Sequence, residues 1–201
     1  MADNDSKSDV PFIPKLKGQA FLAISEYVAL TRGGEGLDLL RNTLSPAERA
    51  ELDAIGWGAW RPFDLWQTIA HTAGLLFGGT GDGQIAFIEK AGAFGAERDL
   101  TVLRRMLLRI ASPALLMERS PSLWANFNDA GVLLGRRISE HRGEAELREW
   151  PTPDALHCAM AQGWMRRSLE LCGARDVVLA HTECRARADG ACRWTGRWRP
   201  A

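Results

Sequence analysis

The chain has 201 residues, of which 46% are hydrophobic and 25% charged, and its 25 basic and 25 acidic residues give a formal net charge of zero. This composition is typical of a globular domain, and the balanced charge argues against nucleic acid or an anionic membrane as a partner. No apolar run reaches the roughly eighteen residues of a membrane span. The polar first ten residues lack a signal-peptide core. We therefore expect a cytoplasmic protein.

The first 14 residues are expected to form a disordered lead, and residues 15–199 a single domain. Apolar residues at helical spacing predict one helix from Leu16 to Gly33-Gly34 and a short one over 37–44. Ser45, Pro46 and Glu48 match a capping box, which predicts another helix that ends near Gly56. Further helices are predicted over 63–77, 84–94, 97–111, 113–117 and 122–127, so that residues 15–127 form a mostly helical part.

The predicted secondary structure changes after residue 127, from helices alone to strands with one long helix. Two strands are predicted over 132–142 and 144–150 with a turn at Gly143, and a long helix with Thr152 as its N-cap, Pro153 at its first position and Gly173 as its stop. A closing hairpin is predicted over 177–187 and 191–198. The fold class is therefore α+β: a helical N-terminal half packed on a small antiparallel sheet, with a strand–strand–helix–strand–strand C-terminal half over 128–199.

The closing hairpin has two possible registers with opposite consequences for its cysteines. A two-residue turn at Asp189-Gly190 would place Cys184 and Cys192 on opposite faces. A three-residue loop over 188–190 pairs Ala186 with Cys192 and places both cysteines on the same face as Trp194. The second register separates buried from charged side chains, as a sheet packed on a helix requires. We therefore predict that both thiols point inward.

Inward thiols beside a helix that carries Cys158 invite a metal ion, because cysteines in a reducing compartment are more often ligands or buried thiols than disulfides. His181 is the natural fourth ligand. An unbroken strand would point His181 away from Cys184, so joint ligation needs a bulge around Thr182-Glu183. The spacing alone leaves zinc and free buried thiols both open. Competing fourth ligands are Glu183, His157 and Cys172.

The spacing Cys158-x25-Cys184-x7-Cys192 resembles the zinc-binding pattern of 4-vinyl reductase-type small-molecule-binding domains, which include sensory domains of phenol-responsive transcriptional activators. Gly163-Trp164 matches the glycine–aromatic pair of that pattern, and His181 stands where the family has glutamate. The resemblance covers about residues 120–198. It implies a structural Zn²⁺ held by Cys158, His181, Cys184 and Cys192, an enclosed apolar pocket, and a sensor or assembly module rather than an enzyme.

Eight tryptophans against a single tyrosine are the odd feature of the composition. Tryptophan fills cores, lines pockets and anchors interfaces. A sensor that encloses a small apolar or aromatic ligand is the first functional hypothesis. A dimeric interaction or scaffold module with a structural zinc and no ligand is the alternative, and an enzyme acting on an aromatic or tetrapyrrole-like substrate is the least favoured. The candidate pocket residues are Trp57, Trp60, Trp66, His71, Phe77, Trp124, Phe127 and Trp164.

Overall fold

A computed structural model describes residues 12–106 and 112–200, with side chains described except at residues 100–106. The chain has the predicted α+β fold, with helices in the N-terminal half and a small antiparallel sheet in the C-terminal half. The elements are β1 (Lys15–Lys17), α1 (Gly18–Thr43), α2 (Pro46–Asp53), β2 (Trp60–Pro62), α3 (Phe63–Gly78), α4 (Asp82–Met106), α5 (Pro113–Glu118), α6 (Ser120–Ala125), β3 (Val132–Ser139), β4 (Arg142–Arg148), α7 (Ala155–Leu171), β5 (Arg175–Glu183) and β6 (Cys192–Arg199). Among the described helices, none has the length and apolar character needed to cross a bilayer.

The main sheet has the strand order β3-β4-β6-β5, and all of its neighbouring strands are antiparallel. Helix α7 connects the β3–β4 hairpin to the β5–β6 hairpin, which gives the predicted strand–strand–helix–strand–strand order. Strands β1 and β2, which the sequence did not predict, form a separate two-stranded ribbon. They escaped detection because a three-residue strand is too short to show an alternating pattern.

Strong local signals placed several helix boundaries correctly. The capping box at the start of α2 is confirmed: the Ser45 hydroxyl accepts from the Glu48 amide, and the Glu48 carboxylate accepts from the Ser45 amide. The predicted break at Gly33 is also present, with a φ of 71° inside α1. The two helices predicted over 84–94 and 97–111 form one helix, α4, although residues 107–111 lie outside the described part.

Three local predictions concern the start of α7, the turn of the first hairpin and the N-terminal lead. Helix α7 begins two residues later than expected, because Asp154 and not Thr152 supplies the N-cap oxygen. The first hairpin turns at residues 140–141, since Ser139 pairs with Arg142, and not at Gly143. Both of these predictions are wrong. Residues 1–11 of the predicted disordered lead lie outside the described residues.

The predicted register of the closing hairpin is also wrong. Strand β5 ends at Glu183, and a short 3₁₀ turn over Arg185–Arg187 leads to Ala188 in the left-handed conformation. Ala186 therefore lies outside the ladder and does not pair with Cys192. The bulge needed near Thr182 is present as a register shift between His181 and Glu183, and Cys184 and Cys192 are both buried.

Helices α4 and α7 approach each other so closely that their contact depends on glycine. A Cβ atom at Gly92 would overlap the carbonyl oxygen of Met160, and one at Gly163 would overlap the carbonyl oxygen of Glu89. The Glu89 carboxylate also accepts hydrogen bonds from Gln162 and Arg166 of α7. Since backbone contact leaves no room for a side chain, these two glycines set the distance between the helices.

We predict that Gly163→Ala lowers the free energy of unfolding by about 1–3 kcal/mol, because the helices must separate to admit the methyl group. Gly58→Ala is the matched control, since a Cβ atom there meets no atom within 4 Å, and we expect a change within about 0.5 kcal/mol. Urea denaturation followed by circular dichroism measures both. Equal effects of the two substitutions would contradict the close-packing argument.

Candidate ligand cavity and cysteine–histidine cluster

A cavity of about 140 Å³ lies between helices α1, α4, α6 and α7 and the main sheet. Its walls are mainly apolar, and they include Ala20, Leu116, Leu133, Met160 and Leu179. Part of the wall is backbone, because Gly92 and Gly95 of α4 face the same space. An apolar cavity that carries only a few polar groups is the usual form of a small-molecule site.

Four of the eight predicted pocket residues line this cavity: Trp66, Trp124, Phe127 and Trp164. The other four lie elsewhere. Trp57 and Trp60 are 44% and 39% exposed, and the Lys17 ammonium lies over the Trp60 ring. Phe77 packs against Phe87 and the Arg32 guanidinium. His71 is exposed over 52% of its side chain and bonds to Asp154, so none of these four encloses a ligand in this cavity.

Two buried polar residues of the cavity wall, Gln19 and Asp99, were missed by the sequence analysis. Gln19 is 3% exposed, and its Oε1 atom has no hydrogen-bond partner among the described residues. Asp99 is 4% exposed, and burial raises the pKa of its carboxyl group against the opposing effect of Arg98. For Gln19, the available signal was a polar residue in a predicted helix whose neighbouring positions Leu16, Ala20 and Ala23 are apolar.

Arg98 joins these two wall residues to each other. Its guanidinium donates to Asp99 Oδ1 from Nε at 3.2 Å and from a terminal nitrogen at 3.1 Å. The same terminal nitrogen donates to the backbone carbonyl oxygen of Gln19 at 2.7 Å, and the other one donates to Glu26 at 2.7 Å. Arg98 thereby neutralises the buried carboxylate and fixes α1 against α4. The Gln19 side-chain oxygen accepts no hydrogen bond from the described residues.

His157 is the one imidazole in the described cavity wall, and aromatic rings surround it. Its ring centroid lies 5.0 Å from that of Phe63, 5.4 Å from Trp66, 5.6 Å from Trp124 and 4.6 Å from Trp150. Burial lowers the pKa of His157 to about 4. The imidazole is therefore neutral near pH 7 and packs as an aromatic ring.

Asp154 connects the start of α7 to α3. Its Oδ1 atom accepts from the amides of Leu156 and His157, and its Oδ2 atom accepts from Gln67 at 2.8 Å and lies 2.9 Å from His71 Nε2. Burial tends to raise the pKa of Asp154, but hydrogen bonds from Gln67 and His71 outweigh it, and the net shift is downward. The bonds of His71 and Gln67 therefore serve to hold the helix cap.

A second candidate site lies where α7 meets the β5–β6 hairpin. Cys158, His181, Cys184 and Cys192 each offer one ligand atom, and these four atoms all lie within 4.8 Å of one another. The Sγ atoms of Cys158 and Cys184 are 3.9 Å apart. The His181 ring stacks on Trp194, and its buried Nε2 atom has no hydrogen-bond partner among the described residues.

The protonation of the cluster is uneven. A hydrogen bond from the Cys158 thiol lowers the pKa of Cys192, and the same pairing raises the pKa of Cys158. Burial raises the pKa of Cys184. The three groups considered as alternative fourth ligands lie outside the cluster. Glu183 pairs with Arg193, His157 lies in the aromatic wall described above, and Cys172 is the C-cap residue of α7. Three sulfurs and one imidazole in this arrangement form a donor set suited to a soft metal ion.

Comparison with known proteins places the fold. No protein-family model matches the chain, and no curated protein matches it. An H-NOX protein from S. oneidensis in the Fe(II)NO ligation state is 11% identical, with 92% of this chain and 99% of that chain covered, at a TM-score of 0.71. The unliganded Fe(II) H-NOX protein from K. algicida is 11% identical, with 92% and 98% covered, at 0.65. A third structure, described by haem redox potential and porphyrin distortion, is 12% identical, with 92% and 99% covered, at 0.62.

The chain therefore has the fold of H-NOX domains, and two sequence-based predictions are wrong. The solved neighbours are H-NOX proteins, a family different from the 4-vinyl reductase-type domains to which the cysteine spacing was assigned. The structural Zn²⁺ that came with that assignment is overturned with it, since the neighbours are described with Fe(II) or haem. Cysteine spacing alone was too short a pattern to separate two families.

The described part of the cavity does not fit a haem. Its volume of about 140 Å³ is close to that of an engineered cavity of about 150 Å³ that holds one benzene ring, whereas a porphyrin joins four pyrrole rings. The described wall includes no lysine or arginine to pair with propionate groups. The one imidazole in that wall, at His157, is packed among four aromatic rings. The wall suits a much smaller molecule.

We predict that Asp154→Ala lowers the free energy of unfolding by about 1–3 kcal/mol, because the buried amides of Leu156 and His157 that cap α7 lose their acceptor. Asp64→Ala is the matched control: Asp64 is exposed in the first turn of α3, and its carboxylate accepts from the Leu65 amide. We expect a change there within about 0.5 kcal/mol. Thermal unfolding followed by circular dichroism compares the two, and similar losses would contradict the role given to Asp154.

Proposed function

We propose that residues 15–199 form a non-enzymatic sensory domain that encloses a small apolar or aromatic molecule about the size of one ring. The observation that supports this proposal is the cavity itself, about 140 Å³ of mainly apolar space. Its wall includes Gln19 and Trp66, whose Oε1 and Nε1 atoms have no hydrogen-bond partner in the described part of the chain. Space of this kind would cost stability in a wall that served only for packing. A bound ligand fills it and compensates that cost.

The fold is consistent with a sensory role. Solved neighbours of the same fold are described in Fe(II), Fe(II)NO and Fe(II)CO ligation states, so that small-molecule binding occurs within this architecture in other proteins. In this chain, the size and polarity of the wall favour an organic ligand over a haem.

We also propose that Cys158, His181, Cys184 and Cys192 bind one soft metal ion. The support is the short mutual distance of the four donor atoms and a buried His181 Nε2 for which the described residues offer no hydrogen-bond partner. Such an ion would link α7 to the closing hairpin, whose loop has little regular structure of its own. Closely spaced thiols of this kind suit a reducing compartment such as the cytoplasm.

A homodimeric interaction module remains the second candidate function. It is favoured by exposed large apolar side chains in the helical half, among them Leu30 at 69%, Leu75 at 55% and Leu39 at 50%. Native mass spectrometry of the purified protein reports oligomeric state, bound metal and any retained small molecule in one measurement. A metal-free dimer without a ligand would favour the module over the sensor.

We predict that Ala20→Leu weakens the binding of toluene at least tenfold, because the added methyl groups occupy the cavity that Ala20 lines. Ala50→Leu on the exposed surface of α2 makes the same change away from the cavity, and we expect unchanged affinity. Isothermal titration calorimetry measures both. The proposal fails if wild-type protein binds no single-ring compound, or if haemin binds at one equivalent with an intense Soret band.

The metal proposal has its own test. We predict that wild-type protein binds Co²⁺ with thiolate-to-metal absorption bands, and that Cys184→Ser and Cys192→Ser each weaken those bands and the metal-dependent gain in stability. Cys172→Ser is the control, because Cys172 lies outside the four-residue cluster. Equal behaviour of all three variants would refute the assigned ligands.

A further inference from the structure

One end of the cavity gathers three buried polar groups, from Gln19, Asp99 and Trp164, which we call the polar end. All three residues line the cavity. The Trp164 indole interacts with the Asp99 carboxylate, although its Nε1 atom forms no hydrogen bond within 3.5 Å. Arg98 bonds to Asp99 and to the backbone of Gln19. The Gln19 side-chain oxygen and the Trp164 indole nitrogen thus have no hydrogen-bond partner within 3.5 Å among the described residues, and both residues line the cavity.

The polar groups of this wall determine which hydrogen-bonding groups a ligand would need. Gln19 Oε1 and the Asp99 carboxylate accept hydrogen bonds, while the Trp164 indole N–H donates one. A hydroxyl group both donates and accepts, and an amino group donates, so either can satisfy Gln19 Oε1. Leaving such an atom unsatisfied in an apolar wall costs the full loss of its hydration. A ligand that reached Gln19 Oε1 would therefore have to offer a hydrogen-bond donor.

The charge of the cavity wall further limits which ligands would fit, because it bears on the charge that a ligand can carry. The charged residues in its described part are Asp99 and Glu144, both acidic. Arg98 already pairs with Asp99, and Arg136 already pairs with Glu144 at 2.6 Å. A carboxylate or phosphate on the ligand would face acceptors and a low-dielectric wall without a free cation. The described part of the wall therefore disfavours anionic ligands.

We propose that the polar end selects one-ring ligands that carry a neutral hydroxyl or an amino group and rejects their carboxylate analogues. This inference rests on the proposed ligand-binding function and adds the chemical class of the ligand. Gln19 accepts the ligand's hydrogen, and Trp164 donates to the ligand's oxygen. The apolar remainder of the ring packs against side chains such as Leu133 and Met160.

Three compounds of similar size test the selection by isothermal titration calorimetry: ethylbenzene, benzyl alcohol and benzoate. We expect wild-type protein to bind benzyl alcohol at least as tightly as ethylbenzene, although the alcohol loses more hydration, and to show no binding of benzoate. In Gln19→Leu, the Kd ratio of benzyl alcohol to ethylbenzene should rise about tenfold, the size of one lost hydrogen bond, while ethylbenzene binding persists.

Two further variants complete the design. Trp164→Phe keeps an aromatic ring but removes the indole N–H, and it should raise the same ratio. Gln162→Leu makes the matched substitution on α7 outside the cavity wall, where Gln162 bonds to Glu89, and the ratio should stay at the wild-type value. Because each variant is judged by a ratio of two ligands, a general loss of stability does not imitate the result.

The outcomes separate this inference from the function on which it rests. If ethylbenzene binds and the ratio is unchanged in both Gln19→Leu and Trp164→Phe, the polar end is overturned while the ligand-binding domain stands. Tight benzoate binding overturns the charge argument in the same way. If none of the three compounds binds wild-type protein, the proposed function and this inference fail together.

Discussion

The backbone contact between α4 and α7 is the constraint on which the rest of the structure depends. Gly92 and Gly163 bring the two helices together without side chains between them, and Glu89 bonds to Gln162 and Arg166 across the contact. With α7 fixed on one side by α4, its other faces are left to meet the sheet and the closing hairpin. Both candidate sites are built from side chains that α7 carries into those spaces.

Consecutive residues of α7 serve the two sites. His157 lies in the aromatic wall of the cavity, and Cys158 lies in the cysteine–histidine cluster. Asp154 caps the same turn and holds it to α3 through Gln67 and His71. The first turn of α7 is therefore the place where a ligand in the cavity and an ion in the cluster would act on one another through a shared, rigid piece of backbone.

Sequence patterns predicted features that depend on neighbouring residues and missed features that depend on how distant parts of the chain pack. The capping box at Ser45 and the break at Gly33 depend on neighbouring residues, and the structure has both. The hairpin register depends on how Cys184 leaves the strand through a 3₁₀ turn, which no alternation pattern encodes. Trp57 and Trp60 were predicted pocket residues on the basis of their position in the chain, yet both stay partly exposed at the short β1–β2 ribbon. The family assignment failed because its evidence lay in a few residues, whereas the fold is a property of the whole chain.

The proposed role of the polar end also gives a reason for glutamine at position 19, which the stability of the fold does not. A leucine at position 19 would keep the backbone bonds of Gln19 to Trp57 and Arg98, and it would remove a buried oxygen that has no partner among the described residues. Since an unsatisfied buried acceptor costs about 1–3 kcal/mol, glutamine is the poorer residue for stability at this position. Proteins give up stability where a binding site requires it. The proposed ligand, lying in the cavity that Gln19 lines, would supply the hydrogen bond that the described residues do not give this amide oxygen.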